Sequence, residues 1–528
     1  MRTIGVAPLV FAILVSVTLV TVARTLPPSP LPADTPAVEF SAERAVRHIR
    51  VIATQPRPTG SSANATARDY ILSALKDLGL ETETQRDGDL ENILGKIAGT
   101  RSSDAVLLTA HLDSVIEGPG ATDDGSGVAV LLETARALVS DAPLQNTVMF
   151  LFTDFEEGGT IGARKFIASH PWARDVRLVI GFDAGGLSGP GTLSATSANN
   201  GWLIRQLAKA DPYIVGSSAI NALADSGTDF GHAFKTAGFS GYAFDLYWDR
   251  RIHTPEDNIE NVNLSSLQHQ GYHALALARY FGHLDRLTDP QEPDAVYFSI
   301  WRLLTVAYSS TWAVPIAVAV AGVFGGVLAF GLRRRILTWG GMGYGAVIVL
   351  TGLCLAPLPS ILLGNWMAGL PFRFVGRSLD QPPEVGAVVL LALGLIVLWY
   401  SVSSRIKSAG LPDLALGALA PLLAGMIGTA IFLPELSFAL TWPLLLSLLA
   451  CAHWFYGHTQ RKSSKTAIVA FLLSGAVSVV IVGPTIVLGL FDQPPLTLLL
   501  LGALCGFLTP QIHLMLGRCL ATTSHRLG

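Results

Sequence analysis

His111–Gly127, HLDSVIEGPGATDDGSG, decides how the rest of this chain is read. It follows the apolar run Ala105–Ala110 (AVLLTA), which reads as a buried strand, and it leads into Val128–Val139, whose apolar spacing suits a helix. The stretch is therefore a strand-to-helix loop carrying His111, Asp113, Asp123 and Asp124, with glycines at 118, 120, 125 and 127 that let the backbone fold tightly. Imidazole and carboxylate groups gathered at the carboxyl end of a strand stand where an open α/β sheet places a metal or a substrate. Taken alone, the loop also fits a solvated acidic turn in which Asp123 caps the next helix.

Outward from the loop the pattern alternates. Helices are expected at Ala42–Ala53 and Ala67–Leu78, then strands at Asn92–Ile97 and Ala105–Ala110. After the loop and its helix come a strand at Thr147–Thr153, a helix near Ala163–Ser169 and a strand at Arg177–Phe182. A helix around Trp202–Ala210, a strand near Gly241–Leu246 and a helix at Leu264–Phe281 close the series. Strands alternating with helices predict an α/β domain over 41–286, a mainly parallel mixed sheet with helices on both faces.

Three further stretches carry matching chemistry. Asp154-Phe-Glu156-Glu157-Gly-Gly follows the Thr153 strand, Asp183-Ala-Gly-Gly follows the Phe182 strand, and His253 lies in DRRIHTPED, Asp249–Asp257. Singly each has a plain reading: a solvated Glu pair, a capping Asp, a histidine without special role. Jointly they converge at one end of a parallel sheet.

The 528 residues split by composition. Mean hydropathy is +0.46, and only 14% of residues are charged, too apolar for an ordinary soluble enzyme. The excess lies in Ile4–Ala23 and beyond residue 300. Ile4–Ala23 is long enough to span a bilayer as an uncleaved anchor, although Thr21–Ala23 also resembles a signal cleavage site. Seven further runs of spanning length follow: Thr311–Leu332, Gly340–Leu363, Val385–Tyr400, Leu414–Leu433, Phe438–Phe455, Thr466–Leu490 and Leu496–Leu516. The organisation expected is an anchor (1–24), a Pro-rich linker (25–40), the α/β domain (41–286), a linker (287–310), an all-α multi-span transmembrane domain (311–517) and a tail (518–528).

Lys and Arg collect in alternate loops (Arg333–Arg335; Arg405 and Lys407; Arg461, Lys462 and Lys465), which puts both termini in the cytoplasm and the α/β domain across the membrane. A net charge of -3 gives no electrostatic case for nucleic acid as a partner. All four cysteines (Cys354, Cys451, Cys505, Cys519) lie in the apolar half, which leans toward a bacterial inner membrane with a periplasmic domain rather than an organelle lumen. Asn64-Ala-Thr66 and Asn263-Leu-Ser265 fit the glycosylation triplet, which matters only in such a lumen.

The ordered pattern His-x-Asp, Asp-Asp-Gly, Glu-Glu, Asp and His-Thr-Pro resembles the co-catalytic zinc aminopeptidase family, and the apolar second half resembles the layout of its membrane-bound branch, that of the vacuolar membrane protease and the endoplasmic reticulum metallopeptidase. Carried over, the resemblance implies two zinc ions: His111 and Asp183 would bind one, Glu157 and His253 the other, and Asp123 would bridge them. Glu156 would be the general base, and Asp113 the carboxylate that orients a ligand histidine. Several relatives have Tyr before the late His; here it is Ile252, with Tyr242 or Tyr247 as substitutes or as buried packing residues. Asp229, in the stretch Asp225–Asp229, would bind a substrate amine or serve as a turn or cap.

The expected function is a membrane-anchored zinc exopeptidase, an aminopeptidase acting on peptides outside the cytoplasm. Its rivals are an inactive receptor, which predicts lost ligands, and a transporter with a substrate-capturing domain, which predicts charges within the spans. A glutaminyl-cyclase-like acyltransferase is the third, and that branch resembles a single-zinc site.

Overall fold

The computed structural model describes residues 6–359 except 212, 224–226 and 289, and residues 390, 391, 394, 409–460, 465–489, 494–509 and 511. Seven strands form one sheet: β1 (Glu81–Asp87), β2 (Leu90–Ile97), β3 (Ser102–His111), β4 (Asn146–Thr153), β5 (Val176–Ala184), β6 (Thr192–Thr196) and β7 (Gly241–Leu246). Their order is β1-β2-β4-β3-β5-β7-β6. The central strands β4, β3, β5 and β7 are mutually parallel. Both margins are antiparallel, β1 and β2 on one side and β6 on the other, so parallel pairing is confined to the middle. The sequence misses β1 because ETETQRD is a largely exposed polar edge, and β6 because five residues behind a Gly/Pro-rich loop give no readable period.

Helices cover both faces. After α1 (Val6–Thr25), helices α2 (Ala42–Ile52), α3 (Ser62–Asp77), α4 (Gly125–Val139), α6 (Gly201–Ala210) and α8 (Leu264–Gly282) bury apolar side chains with Phe150, Ile180 and Phe244 on one face. On the other face α5 (Ile161–Ser169) and a π-helical turn at Phe230–Phe234 pack over Leu107, Met149 and Val179. Glycine permits the closest approach there. A Cβ on Gly241 would stand 2.7 Å from the Phe230 ring and 2.1 Å from the Val179 carbonyl oxygen.

Two expected linkers are more structured than their composition suggests. In the Pro-rich segment, Leu31 N–H donates to Gln268 Oε1 at 2.9 Å, and Arg44 donates to the carbonyls of Ala33, Thr35 and Glu39. Proline removes donors but leaves carbonyls, and Arg44 collects them. Residues 287–310 contain an antiparallel hairpin of β8 (Ala295–Ile300) and β9 (Leu304–Ser309). Its turn lacks Gly, Pro or Asn, so the sequence reads as one apolar run.

The helical half contains α9 (Ala313–Arg333), α10 (Trp339–Leu355), α11 (Leu411–Phe432), α12 (Phe438–Thr459), α13 (Lys465–Gly489) and α14 (Pro494–Phe507). Among the described residues, five helices are long and apolar enough to cross a membrane: α1, α9, α11, α12 and α13. Trp339–Leu355 and Thr497–Phe507 are shorter apolar helices, and the expected span Val385–Tyr400 lies almost wholly outside the described residues. The two halves meet through a short helix, α7 (Ser218–Leu223), and the hairpin. Ser218 Oγ donates to the Glu435 carbonyl at 2.6 Å, Thr485 Oγ1 donates to Ser217 Oγ at 3.1 Å, and Phe298 stacks on Phe438 at 4.8 Å. Val296, Phe298, Val482 and Ile486 close an apolar seam around these contacts.

Candidate metal centre

The carboxyl ends of β3, β4, β5 and β7 deliver His111, Thr153, Asp183 and Asp245 to the face that carries the Phe230–Phe234 turn. His111 and Thr153 are register partners, as are Asp183 and Asp245. Strand period thus aims four side chains at one spot.

Asp123 is at the centre. Its Oδ1 lies 3.1 Å from His111 Nε2, and its Oδ2 lies 3.0 Å from His253 Nε2. His253 Nε2 is 3.2 Å from Glu157 Oε2, and His111 Nε2 is 3.6 Å from Asp183 Oδ1. Ligand atoms of His111, Asp123 and Glu157 all fall within 4.8 Å of one another. A second such group joins His111 and Asp183 with Asp124 rather than Asp123. Both Asp124 oxygens already accept backbone N–H groups, from His111 at 3.0 Å and Gly127 at 2.9 Å. Asp124 therefore caps α4 and fixes His111, the capping role that the plain sequence reading gave to Asp123. The two are joined by a cis peptide bond.

Asp113 ties the loops together. Its Oδ1 accepts from Glu156 N at 3.1 Å, its Oδ2 accepts from Glu157 N at 3.3 Å, and Oδ1 stands 3.4 Å from His111 Nδ1. The Glu-Glu turn is further shaped by Phe155 at φ 61°, and His253 itself has φ 58°. Both lie in the left-handed region that non-glycine residues enter at a cost, as residues held at functional sites do.

Other residues, to which the sequence assigned no role in the site, brace it. Asp257 Oδ1 and Oδ2 accept from the N–H groups of Thr122 and Asp123 at 2.7 and 3.0 Å. Arg57, fully buried, donates from Nε to the Leu112 carbonyl at 2.7 Å and from Nη1 to the Pro119 carbonyl. Asp154 gathers Thr59, Asn64 and the Glu91 N–H. Asn64, bonded and buried, cannot carry a glycan, and Asn263 caps α8. Asp257 was within reach of the sequence, four residues past His253; Arg57 left no signal.

Asp229 precedes the π-helical turn yet makes no capping bond with its side chain. It accepts instead from Thr153 Oγ1, and its Oδ1 is buried without a partner among the described residues. Asp245 accepts from Tyr247 OH at 3.1 Å, and its Oδ1 is likewise unpartnered among the described residues. Tyr242 is a packing residue, its hydroxyl bonded to the Leu203 carbonyl at 2.8 Å. Asp225 and Ser226 lie outside the described residues.

The electrostatics of this cluster favour a cation. Burial pushes the Glu156 carboxyl up to about 10, against the pull of His111 and with the repulsion of Asp183, Asp229 and Asp123. Burial also lifts Asp229 and Asp245 to about 7. Contacts with Asp123 and Glu157 raise His253 to about 10. Burial opposes charge on Asp123, but His111 and His253 hold its pKa down at about 2. So many carboxylates resist ionising together unless positive charge sits among them, and protonated histidines are a poor substitute for a divalent ion. The donors fit zinc: two imidazoles and three carboxylates, with the Glu157 Oε1 buried and unpartnered among the described residues.

Residues 92–278 match the protein family described as peptidase family M28. The Vacuolar membrane protease of Candida dubliniensis is 33% identical over 272 residues, 47% of this chain and 29% of that protein. The Endoplasmic reticulum metallopeptidase 1 of Mus musculus is 28% identical over 309 residues, 52% of this chain and 34% of that protein. The chain thus matches about a third of the length of these relatives. Among solved structures, the aminopeptidase from Aneurinibacillus sp. strain AM-1 is similar at a TM-score of 0.40 with 16% identity, covering 48% of this chain and 97% of that one. The match to peptidase family M28 thus falls within the α/β half, the part of the chain that carries the ordered ligand pattern.

Proposed function

We propose that the chain is a membrane-anchored zinc exopeptidase, an aminopeptidase, working on the non-cytoplasmic side of its membrane. One observation carries the two-metal reading: Asp123 offers one oxygen to each histidine, Oδ1 at 3.1 Å from His111 and Oδ2 at 3.0 Å from His253. In this reading His111 and Asp183 would hold one zinc, Glu157 and His253 the other, and Asp123 would be shared between them. Bound there, the two ions supply an electrophilic anchor for a peptide carbonyl and a water of lowered pKa.

The protein groups then divide the work. Glu156 takes the proton of the attacking water at its carboxylate and later returns it to the leaving amine. Glu157, its neighbour, is committed as a ligand, and the turn held by Asp113 separates the two fates. Asp113 holds His111 through Nδ1, so that Nε2 is left for the ligand role. Asp229 faces the substrate amine with its unpartnered oxygen. The anchor (1–24) and the helices from residue 311 onward hold the domain (41–286) at the bilayer. A relative named a vacuolar membrane protease supports the membrane setting, and the charge pattern of the loops supports the side.

The test is hydrolysis of free and N-blocked aminoacyl substrates by the detergent-solubilised chain, with chelator and with zinc restored. Cleavage of free amino termini alone, abolished by chelator and recovered with zinc, is the expected result. Cleavage of blocked substrates, or activity indifferent to chelator, overturns it.

A further inference from the structure

The β8–β9 hairpin turns at residues 301–303. It exposes Leu303 and Leu304, 70% and 58% accessible, beside a tryptophan and an arginine. Trp301 Nε1 donates to Thr21 Oγ1 at 3.0 Å, and Thr21 belongs to α1, one turn before its end at Thr25. At 1.5 Å per residue, the tip therefore reaches about 6 Å below the end of that helix. At its other end, the hairpin runs from Ser309 through Ser310–Trp312 straight into α9. Both ends of the hairpin are thus fixed to the ends of apolar helices, and it lies along the level at which those helices leave the bilayer.

Arg302 is the polar element of the tip. Its Nη1 is buried without a hydrogen-bond partner among the described residues. Burial, and then the positive charge of nearby Arg24 at the end of α1, depress its pKa. The geometry agrees: Arg302 follows Trp301, which is bonded to Thr21, and Arg24 lies three residues past Thr21, on the same side of α1, so two guanidinium groups meet where an anion could join them. Leu19 and Val22 of α1 are exposed and apolar, as are Leu303 and Leu304.

We infer that Arg24 and Arg302 bind the phosphate of a phospholipid in the leaflet on the α/β-domain side, with its acyl chains against Leu303, Leu304 and α1. The charges sit at headgroup level and the leucines below it, the arrangement of an interfacial anchor. This rests on the reading of α1 and α9 as membrane spans. Its consequence is a fixed height and tilt for the peptidase site relative to the bilayer, set by one lipid rather than by a flexible tether.

Two measurements on the full-length chain test it. With the four native cysteines replaced, spin labels at Leu303→Cys and Val318→Cys are compared in phosphatidylglycerol vesicles for relaxation by oxygen and by a water-soluble nickel complex. Val318, 68% exposed on α9, reports whether the helix spans the bilayer. Both labels favouring oxygen supports the inference. Oxygen at Val318 but nickel at Leu303 overturns it while leaving the spans intact, and nickel at both overturns the spanning reading itself.

The second measurement is retention of phosphatidylglycerol on the detergent-solubilised chain by native mass spectrometry. Arg302→Gln and Arg24→Gln should each weaken retention about fivefold, with Arg302→Lys keeping most of it. Inorganic phosphate at equal concentration should not displace the lipid. Unchanged retention in the double variant, or displacement by phosphate alone, overturns the lipid assignment.

Discussion

The two halves of this chain bury polar groups for opposite reasons. In the α/β half, carboxylates crowd the carboxyl end of the sheet, and Asp229, Asp245 and Glu157 each keep one buried oxygen with no partner among the described residues. In the helical half most buried polar side chains are hydroxyls, such as Ser478 bonded to the Ser474 carbonyl at 2.7 Å and Thr509 to the Gly506 carbonyl at 2.7 Å. The buried acid there, Asp413, is the only one among the described residues of that half, and Thr338 satisfies it from both its N–H and its hydroxyl. Unsatisfied charge is tolerable only where a ligand completes it. The first half is built to be completed by something that binds, whereas among the described residues of the second only Trp442 Nε1 and Gln511 Oε1 are buried without a partner, and neither carries charge.

The comparison breaks most visibly at Glu156. Glu156→Gln should lower turnover by about 10²–10⁴-fold, the usual worth of a positioned general base, while zinc content stays at the wild-type level. Loss of zinc in step with activity would make Glu156 a ligand instead. Next in size is Asp113→Asn, expected to cost about 10–100-fold in activity or zinc affinity. An amide in place of the carboxylate turns a donor toward the Glu156 or Glu157 N–H, so the turn must shift. Glu at the same position, tested in parallel, should recover little because its longer arm cannot meet both amides.

Asp257→Asn comes third, at about tenfold by the same reasoning. It touches no ligand side chain, only the N–H groups of Thr122 and Asp123. Zinc titration of the variant should show weaker binding with turnover per bound zinc unchanged. A fall in turnover at full zinc occupancy would give Asp257 a part in the chemistry itself.

How far the sequence could be read follows the same division. The loops that open at His111, Asp154 and Asp183 were legible because each sits directly after an apolar run, where period and chemistry change at the same residue. Asp124 was given no role, and the alternative cap fell on Asp123, because capping depends on which of two adjacent carboxylates points back along the helix. Arg57 was invisible because its partners are carbonyls, at Leu112 and Pro119, which any residue supplies. The edge strands β1 and β6 were missed for want of a buried period, and the β8–β9 turn for want of a turn residue. In the helical half length and hydropathy locate the runs, but uniform apolarity hides which face of each helix meets a neighbour.

The smallest effect on catalysis belongs to Asp413. It joins the start of α11 to the cap of α10 through Thr338, whose N–H donates to Oδ1 at 2.6 Å and whose hydroxyl donates to Oδ2 at 3.2 Å. Gly341 presses against the same carboxylate, with a built Cβ only 2.4 Å from Oδ2, so a larger side chain cannot replace it from that side. Asp413→Ala removes charge-assisted bonds worth about 1–3 kcal/mol each before water compensates the half-exposed Thr338. Thermal unfolding of the solubilised chain should therefore shift down by several degrees, while turnover measured well below the transition stays at the wild-type value. If turnover falls instead while the chain remains folded, the helical half does more than hold the peptidase domain. The bundle would then be coupled to the candidate metal centre, by way of the seam where Ser218 meets Glu435 and Thr485 meets Ser217.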